Sequence, residues 1–297
     1  MLVDAPLSRA GADRHAERRT EPGLLPTVMS RPTTRIVPVS GARVPLVPCD
    51  DAGARRLAYL TPEDRRHDGI EFYLGSAGGI DYVGIAVTDA ALDASWVSLR
   101  QIGATLPDLD AGLAVTAVAL ASWHAKAGFC PTCGASTTPI NAGWVRRCDA
   151  EGTDLFPRMD PAVIVAVTDP DERLLLARAQ HFPPGRYSVL AGFVDAGESL
   201  EAAVRREVGE EVGLDLRDVI YVGSQAWPFP SSLMCAFTAR ATGTDLTVDS
   251  RELAEARWYT RQEFGDAIAD GTIRVAPRSA IARSQIERWY ARPLDMP

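Results

Sequence analysis

Gly192–Leu214 reads GFVDAGESLEAAVRREVGEEVGL. Leu200, Ala203, Val204, Val208 and Val212 recur at helical spacing, which predicts a helix with one face on a core. Ser199 is the expected N-cap and Gly213 the expected end, while Gly192 and Gly197 let the preceding loop turn sharply. Glu207, Glu210 and Glu211 stand at i, i+3 and i+4, so the helix gathers three carboxylates on its other face. Like charges at that spacing cost a helix a few tenths of a kcal/mol per pair, and no lysine there offsets them. A divalent cation among the carboxylates would reverse the repulsion, because hard cations take oxygen ligands and combine a few carboxylates with substrate phosphate. Arg206, beside Glu207, can hold a carboxylate through paired hydrogen bonds. For three glutamates alone, a solvated acidic face is the simpler reading.

Around this helix the grammar is that of a mixed α/β unit. Ala162–Thr168 and Arg173–Gln180 are strand-like runs joined by Asp169-Pro170-Asp171-Glu172, which is turn chemistry. Further strands are expected at Tyr187–Ala191, near Val219–Gln225 and at Leu233–Ala241. Thr260 and Glu263 have capping-box spacing, predicting a helix from Arg261. A closing helix over Ser279–Ala291 is expected to start on a serine cap. Upstream, strands are expected at Glu71–Leu74, Tyr82–Val87 and Ser95–Gln101, then a helix at Ala111–Ala127. The implied organisation is an irregular or disordered start over 1–24, an α+β domain over 25–127, a cysteine-bearing segment over 128–157 and the α/β unit over 158–297.

Composition narrows the function. A chain of 297 residues is long enough for two domains. Its 46% hydrophobic content excludes wholesale disorder. The longest apolar run, near Ala114–Trp123, is too short for a membrane span. With 31 basic against 39 acidic residues the net charge is −8, which argues against a general electrostatic grip on nucleic acid. Lys126 is the only lysine, so no polylysine patch exists. The N-terminal stretch lacks an apolar secretory core, and the expected compartment is the cytoplasm.

Three of the five cysteines cluster, which in that compartment suggests metal rather than disulfides. Cys130-Pro131-Thr132-Cys133-Gly134 is a metal knuckle, and Cys148 opens a second in which Glu151 takes the place of a fourth cysteine. Three thiolates and a carboxylate can hold structural Zn²⁺; His124 and Asp149 are alternative fourth ligands, and a metal-free ribbon held by packing stays open. Cys49 and Cys235 stand alone, the latter as a small residue buried in an apolar strand. His15, His67 and His181 have no nucleophile beside them and are given no catalytic role.

Past the carboxylate helix comes Ser224-Gln225-Ala226-Trp227-Pro228-Phe229-Pro230-Ser231-Ser232. Its prolines stiffen the loop and hold Trp227 and Phe229 with little entropy left to lose. The aromatics either stack a flat heteroaromatic ring or pack on the core.

The string from Gly192 resembles the Nudix box, G-x5-E-x7-R-E-U-x-E-E-x-G-U with U apolar. It matches at Gly192, Glu198, Arg206, Glu207, Val208, Glu210, Glu211, Gly213 and Leu214. The loop resembles SQPWPFPxS, the array of the NADH pyrophosphatase and NAD-capped RNA hydrolase branch, with Ala226 where proline is usual. The likeness runs from about Val97 to the C-terminus and implies a Nudix α/β/α sandwich with a mixed sheet behind a zinc-ribbon-like segment.

The resemblance also implies a function and a set of site residues. The reaction is hydrolysis of NADH or NAD⁺ to nicotinamide mononucleotide and AMP, and of NAD caps on RNA 5′ ends, with Mg²⁺ or Mn²⁺ and in a homodimer. Glu198, Arg206, Glu207, Glu210 and Glu211 are then the catalytic set. Glu207 and Glu211, with Glu252 and the main chain of Ala191, hold the metal, and either Glu211 or Glu252 takes the proton of water. Phe193 and Trp227 sandwich the nicotinamide, and Phe156 reaches across the dimer. Arg100, Ala282 and the loop residues Gln225, Ala226, Pro228, Phe229, Pro230, Ser231 and Ser232 complete the substrate contacts. Two other readings compete: a Nudix enzyme for ADP-ribose or another nucleoside diphosphate derivative, and a zinc-ribbon RNA- or protein-binding module with a vestigial box.

Overall fold

The computed structural model describes residues 5–48, 55–64, 69–87 and 94–294; Cys49 and His67 lie outside them. The chain divides into two compact units, one built from residues 7–159 with 226–231, the other mainly from 160–225 and 232–297.

The first unit begins with a 3-10 turn at Ala16–Thr20 and helix α1 (Leu24–Met29). Residues 5–24, in the stretch expected to be irregular or disordered, carry little regular structure and are tied to the unit. Leu7 is buried, and Arg9 donates to the carbonyls of Leu106 and Gly103. Strands β1 (Arg35–Val39), β2 (Arg43–Pro48), β3 (Arg55–Leu57), β4 (Glu71–Ala77), β5 (Ile80–Ala86) and β6 (Ser95–Ser98) form two three-stranded sheets, β1-β5-β4 and β3-β2-β6. Helix α2 (Leu99–Ile102) follows β6 directly, so the strand expected through Gln101 ends three residues early. Helix α3 (Asp108–His124) is alanine-rich, and its Leu113, Val118 and Leu120 join a core with Phe72 and Leu74. Strands β7 (Thr137–Ile140), β8 (Val145–Cys148) and β9 (Asp154–Leu155) make a third small sheet in the cysteine segment.

The second unit is a mixed sheet of β10 (Asp160–Thr168), β11 (Leu174–Ala179), β12 (Leu190–Phe193), β13 (Leu216–Trp227), β14 (Ser232–Ala241) and β15 (Leu253–Tyr259). Its order is β13-β14-β10-β11-β15, with β12 also paired to β10. Strand β10 runs parallel to β14 and antiparallel to β11 and β12. Strand alternation decides which helix covers which face. Val163, Val165 and Val167 of β10 and Cys235, Phe237 and Ala239 of β14 pack with Ala203, Val204, Val208 and Val212 of helix α4 (Leu200–Val212). Helix α6 (Ile281–Tyr290) lies against the opposite face, and helix α5 (Arg261–Ala269) packs beside β15. This is the expected α/β/α sandwich.

Two local expectations are met in detail and one is corrected. Ser199 Oγ accepts from Ala202 N at 3.2 Å and Gly213 ends α4 at φ 71°, while Thr260 and Glu263 close a reciprocal capping box on α5. Helix α6, however, does not start on a serine cap: its N-cap is Ala280, with no side-chain cap bond. Ser279 is buried one residue earlier, where its carbonyl accepts from Gln225 Nε2 at 2.9 Å. No helix among the described residues is long and apolar enough to cross a membrane.

Candidate active site

The carboxylate helix is organised by Arg206. Its guanidinium donates to both oxygens of Glu198 (3.0 and 2.9 Å), to Glu207 (2.9 Å) and to Glu210 (3.0 Å), and to the carbonyl of Phe193 at 2.9 Å. One cation therefore braces three box glutamates and ties the end of β12 to α4. Glu198 closes its own loop by accepting from Asp195 N, and the Arg206 hydrogen bonds hold its carboxyl below the usual range. Gly192 lets the Glu207 carboxylate lie against bare backbone, in the space a Cβ would fill.

Glu211 has no such brace. The residue is 7% exposed, and its Oε2 is buried without a hydrogen-bond partner. Burial, followed by the charges of Glu207, Glu252 and Glu210, pushes its carboxyl up to about 8. Burial also raises Glu207, opposed by Arg206. Glu252, exposed, is drawn to this end of α4 by the backbone: Asp249 N donates to Glu211 O and Glu252 N to Asp249 O. An unpartnered buried carboxylate within the field of three others is a donor set suited to a hard divalent cation. Ala191 lies on exposed β12 opposite Ile164. Phe193, at the strand's end, is 61% exposed.

Two sites expected to touch substrate lie in the core of the catalytic unit. Gln225 is 0% exposed and spends its amide on the Ser279 carbonyl, so its side chain supports the α6 entry. Ala282 is likewise buried within α6. Both carried a resemblance of sequence, and burial at either position has no local signal. Ser232 is half-buried at the start of β14, opposite Asp160.

The proline loop, residues 226–231, packs as part of the first unit. Ala226 N donates to Ser8 Oγ at 3.1 Å, and Ala226, Trp227 and Phe229 lie against the core that contains Phe72 and Leu113. Trp227 and Phe229 meet edge to face at 4.9 Å, and the Arg100 guanidinium stands 5.2 and 4.8 Å from their ring centres. Pro228 is buried, Pro230 exposed and Ser231 half-buried. The loop's aromatics are thus both packed and partly open, and Arg100 acts on them directly.

In the cysteine segment, ligand atoms of Cys130, Cys133, Cys148 and Glu151 all lie within 4.8 Å of one another. The two knuckles repeat one turn. Gly134 N donates to Cys130 O and Gly152 N to Cys148 O, both at 2.9 Å, and both glycines have positive φ. Glu151 therefore occupies in its knuckle the position of Cys133 in the other, and three sulfurs with a carboxylate fit Zn²⁺. The alternative ligands are engaged elsewhere. His124 is buried between Gly143 O (2.9 Å) and Arg146 (3.2 Å), and Asp149 accepts from Ser136 and Thr138. Phe156, beyond the knuckles, is 67% exposed. Cys235 is buried on β14 as expected; His15 bonds Ser76, and His181 is exposed against Phe182.

Comparison with known proteins agrees with this geometry. Residues 158–280 match the NUDIX domain, and residues 125–156 match the NADH pyrophosphatase zinc ribbon domain. The NAD-capped RNA hydrolase NudC of Mycobacterium tuberculosis (strain ATCC 25618 / H37Rv) is 44% identical over 214 residues, covering 69% of this chain and 68% of that protein. The NAD-capped RNA hydrolase NUDT12 of Homo sapiens is 41% identical over 196 residues, covering 62% of this chain and 42% of that longer protein. Among solved structures, a NUDIX hydrolase from Nitrosomonas europaea aligns with 56% of this chain and 94% of its own, at 22% identity and a TM-score of 0.44. With an intact glutamate box braced by its own arginine and the matching ribbon directly upstream, this chain belongs to the Nudix hydrolase family, in the branch that carries the NADH pyrophosphatase zinc ribbon.

Proposed function

We propose that this protein hydrolyses the pyrophosphate bond of NADH and NAD⁺ to nicotinamide mononucleotide and AMP. By the same cleavage it removes NAD caps from RNA 5′ ends. The observation that carries the reading is Glu211, a buried carboxylate with an unpartnered oxygen among Glu207, Glu210 and Glu252.

Mg²⁺ or Mn²⁺, when bound, supplies a nucleophilic water and offsets charge on the phosphates. Glu207, Glu211 and Glu252, with the Ala191 carbonyl, are the proposed ligands. Arg206 holds Glu207 and Glu210 in place, so that the cluster keeps its shape when protonation changes. Either Glu211 or Glu252 would take up the proton of the attacking water. Phe193, exposed at the end of β12, and Trp227, held beside Phe229 and Arg100, are the proposed contacts for the flat ring. Cys130, Cys133, Cys148 and Glu151 would hold Zn²⁺, which would fasten the two knuckles. The same reading carries a cytoplasmic homodimer, in which exposed Phe156 meets the neighbouring subunit.

Steady-state kinetics with Mg²⁺ test the substrate: kcat/KM for NADH exceeds that for ADP-ribose, and the reverse order overturns the nicotinamide assignment. Trp227→Ala raises KM for NADH about tenfold with kcat little changed, since one base–aromatic stack is worth roughly 1–3 kcal/mol. Unaltered NADH kinetics would make the loop purely structural.

A further inference from the structure

We propose that the catalytic unit carries a second small-molecule site, on the sheet face turned away from α4, which binds a nucleoside monophosphate bearing an exocyclic N–H donor. A cavity of about 250 Å³ opens there between α6 and strands β10, β13 and β14. None of the box glutamates lines it.

The floor of the cavity defines what it accepts. Gln285 is 2% exposed, and its Nε2 donates to the carbonyls of Phe237 (2.8 Å) and Ile164 (3.4 Å). Two carbonyl acceptors fix the orientation of the amide, because only its nitrogen can serve them. The other end, Oε1, is buried with no hydrogen-bond partner. A buried acceptor left unmatched costs about 1–3 kcal/mol. Its complement is a ligand N–H, such as a purine amino group or a carboxamide.

The walls and rim supply the rest. Ala166, Val222 and the exposed side chain of Ile220 present an apolar surface for a flat ring. Arg240, Arg261 and Arg288 line the cavity, against Glu172 and Asp218. Glu172 is already paired with Arg240, and Arg261 donates to Trp289 O at 2.8 Å while standing over the Trp289 ring. Asp218 can accept from ribose hydroxyls, and Arg240, Arg261 and Arg288 bring cationic donors to the rim for a phosphate. At about 250 Å³ the space is on the scale of one mononucleotide. Binding here is independent of the hydrolytic reading. Only the corollary that AMP released by the enzyme returns to this site rests on that reading.

Titration calorimetry of the full chain with AMP, in EDTA so that no divalent cation supports the carboxylate site, tests the proposal. Saturable one-to-one binding is expected. It weakens at least tenfold in Arg288→Ala and in Thr238→Trp, which fills the cavity from β14, and is unchanged in Glu211→Gln. Circular dichroism of each variant checks that it folds. Inorganic phosphate, run alongside, is expected to bind at least tenfold more weakly than AMP. Absence of saturable AMP binding, loss of it in Glu211→Gln with retention in folded Arg288→Ala, or equal affinity for phosphate overturns the nucleotide site.

Discussion

Asp81 in the first unit and Glu211 in the second are both buried carboxylates, yet their surroundings differ in kind. Asp81 accepts from Tyr73 Oη at 2.7 Å, from Arg31 at 2.6 Å and from Arg18 at 3.5 Å, so each of its oxygens is matched by a fixed donor. Glu211 lies five residues after Arg206, nearly a turn and a half along α4, and that guanidinium is spent on Glu198, Glu207 and Glu210. One carboxylate is complete within the protein. The other keeps a buried oxygen with no hydrogen-bond partner in the chain. On the proposed reading the first holds the fold and the second serves the reaction.

The largest effect that would break this contrast is chemical. Glu211→Gln should lower kcat for NADH by at least a thousandfold while leaving the protein folded, as measured by steady-state assay and circular dichroism. In EDTA the same change should raise the melting temperature above pH 8. The folded Glu211 carboxyl near 8 lies above its ordinary 4.5. Between those values the folded chain binds more protons than the unfolded one, and stability falls as pH rises. The Gln variant lacks that slope. A variant less stable than the parent at pH 8 would put Glu211 in the same class as Asp81.

Asp81→Asn should do the opposite. The substitution removes the negative charge that Arg31 and Arg18 face beside Tyr73, and breaking a buried ion pair costs about 3–5 kcal/mol. Since Arg31 is half exposed, about 2 kcal/mol is expected in denaturant melts, with kcat unchanged in the folded fraction. A smaller effect sharpens the same contrast by pH. His124, buried first of all and also facing Arg146, is pushed down to about 4 from 6.5. Here the unfolded chain binds the extra proton, so stability is full above pH 6.5 and is lost as pH falls towards 4. Hydrogen exchange in EDTA should therefore show α3 loosening on acidification over the interval in which α4 tightens. Parallel trends in both helices would remove the distinction.

The carboxylate helix was legible because everything that defines it is local. Caps, apolar stripe, glutamates and bracing arginine fall within Glu198–Gly213, and the helix forms over the expected residues. The zinc knuckles were legible for the same reason, and structure adds the matching glycines that give Glu151 its place. What sequence could not reveal depends on distant partners. Asp81 meets arginines 50 and 63 residues away, and Gln225 meets Ser279 across 54. Strand β15, Leu253–Tyr259, alternates with Glu255 and Arg257 at exposed positions on an edge, so its apolar signal is thin. The serine expected to cap α6 lies one residue before the N-cap, Ala280, and its carbonyl accepts from Gln225.

The loop at 226–231 emerges from β13, joins the contacts of the N-terminal unit and returns as β14. An excised catalytic half would carry this segment stripped of Ser8, Arg100 and the apolar bed under Trp227. The segment between β13 and β14 thus takes its shape from residues as far away in the chain as Ser8, 218 positions upstream.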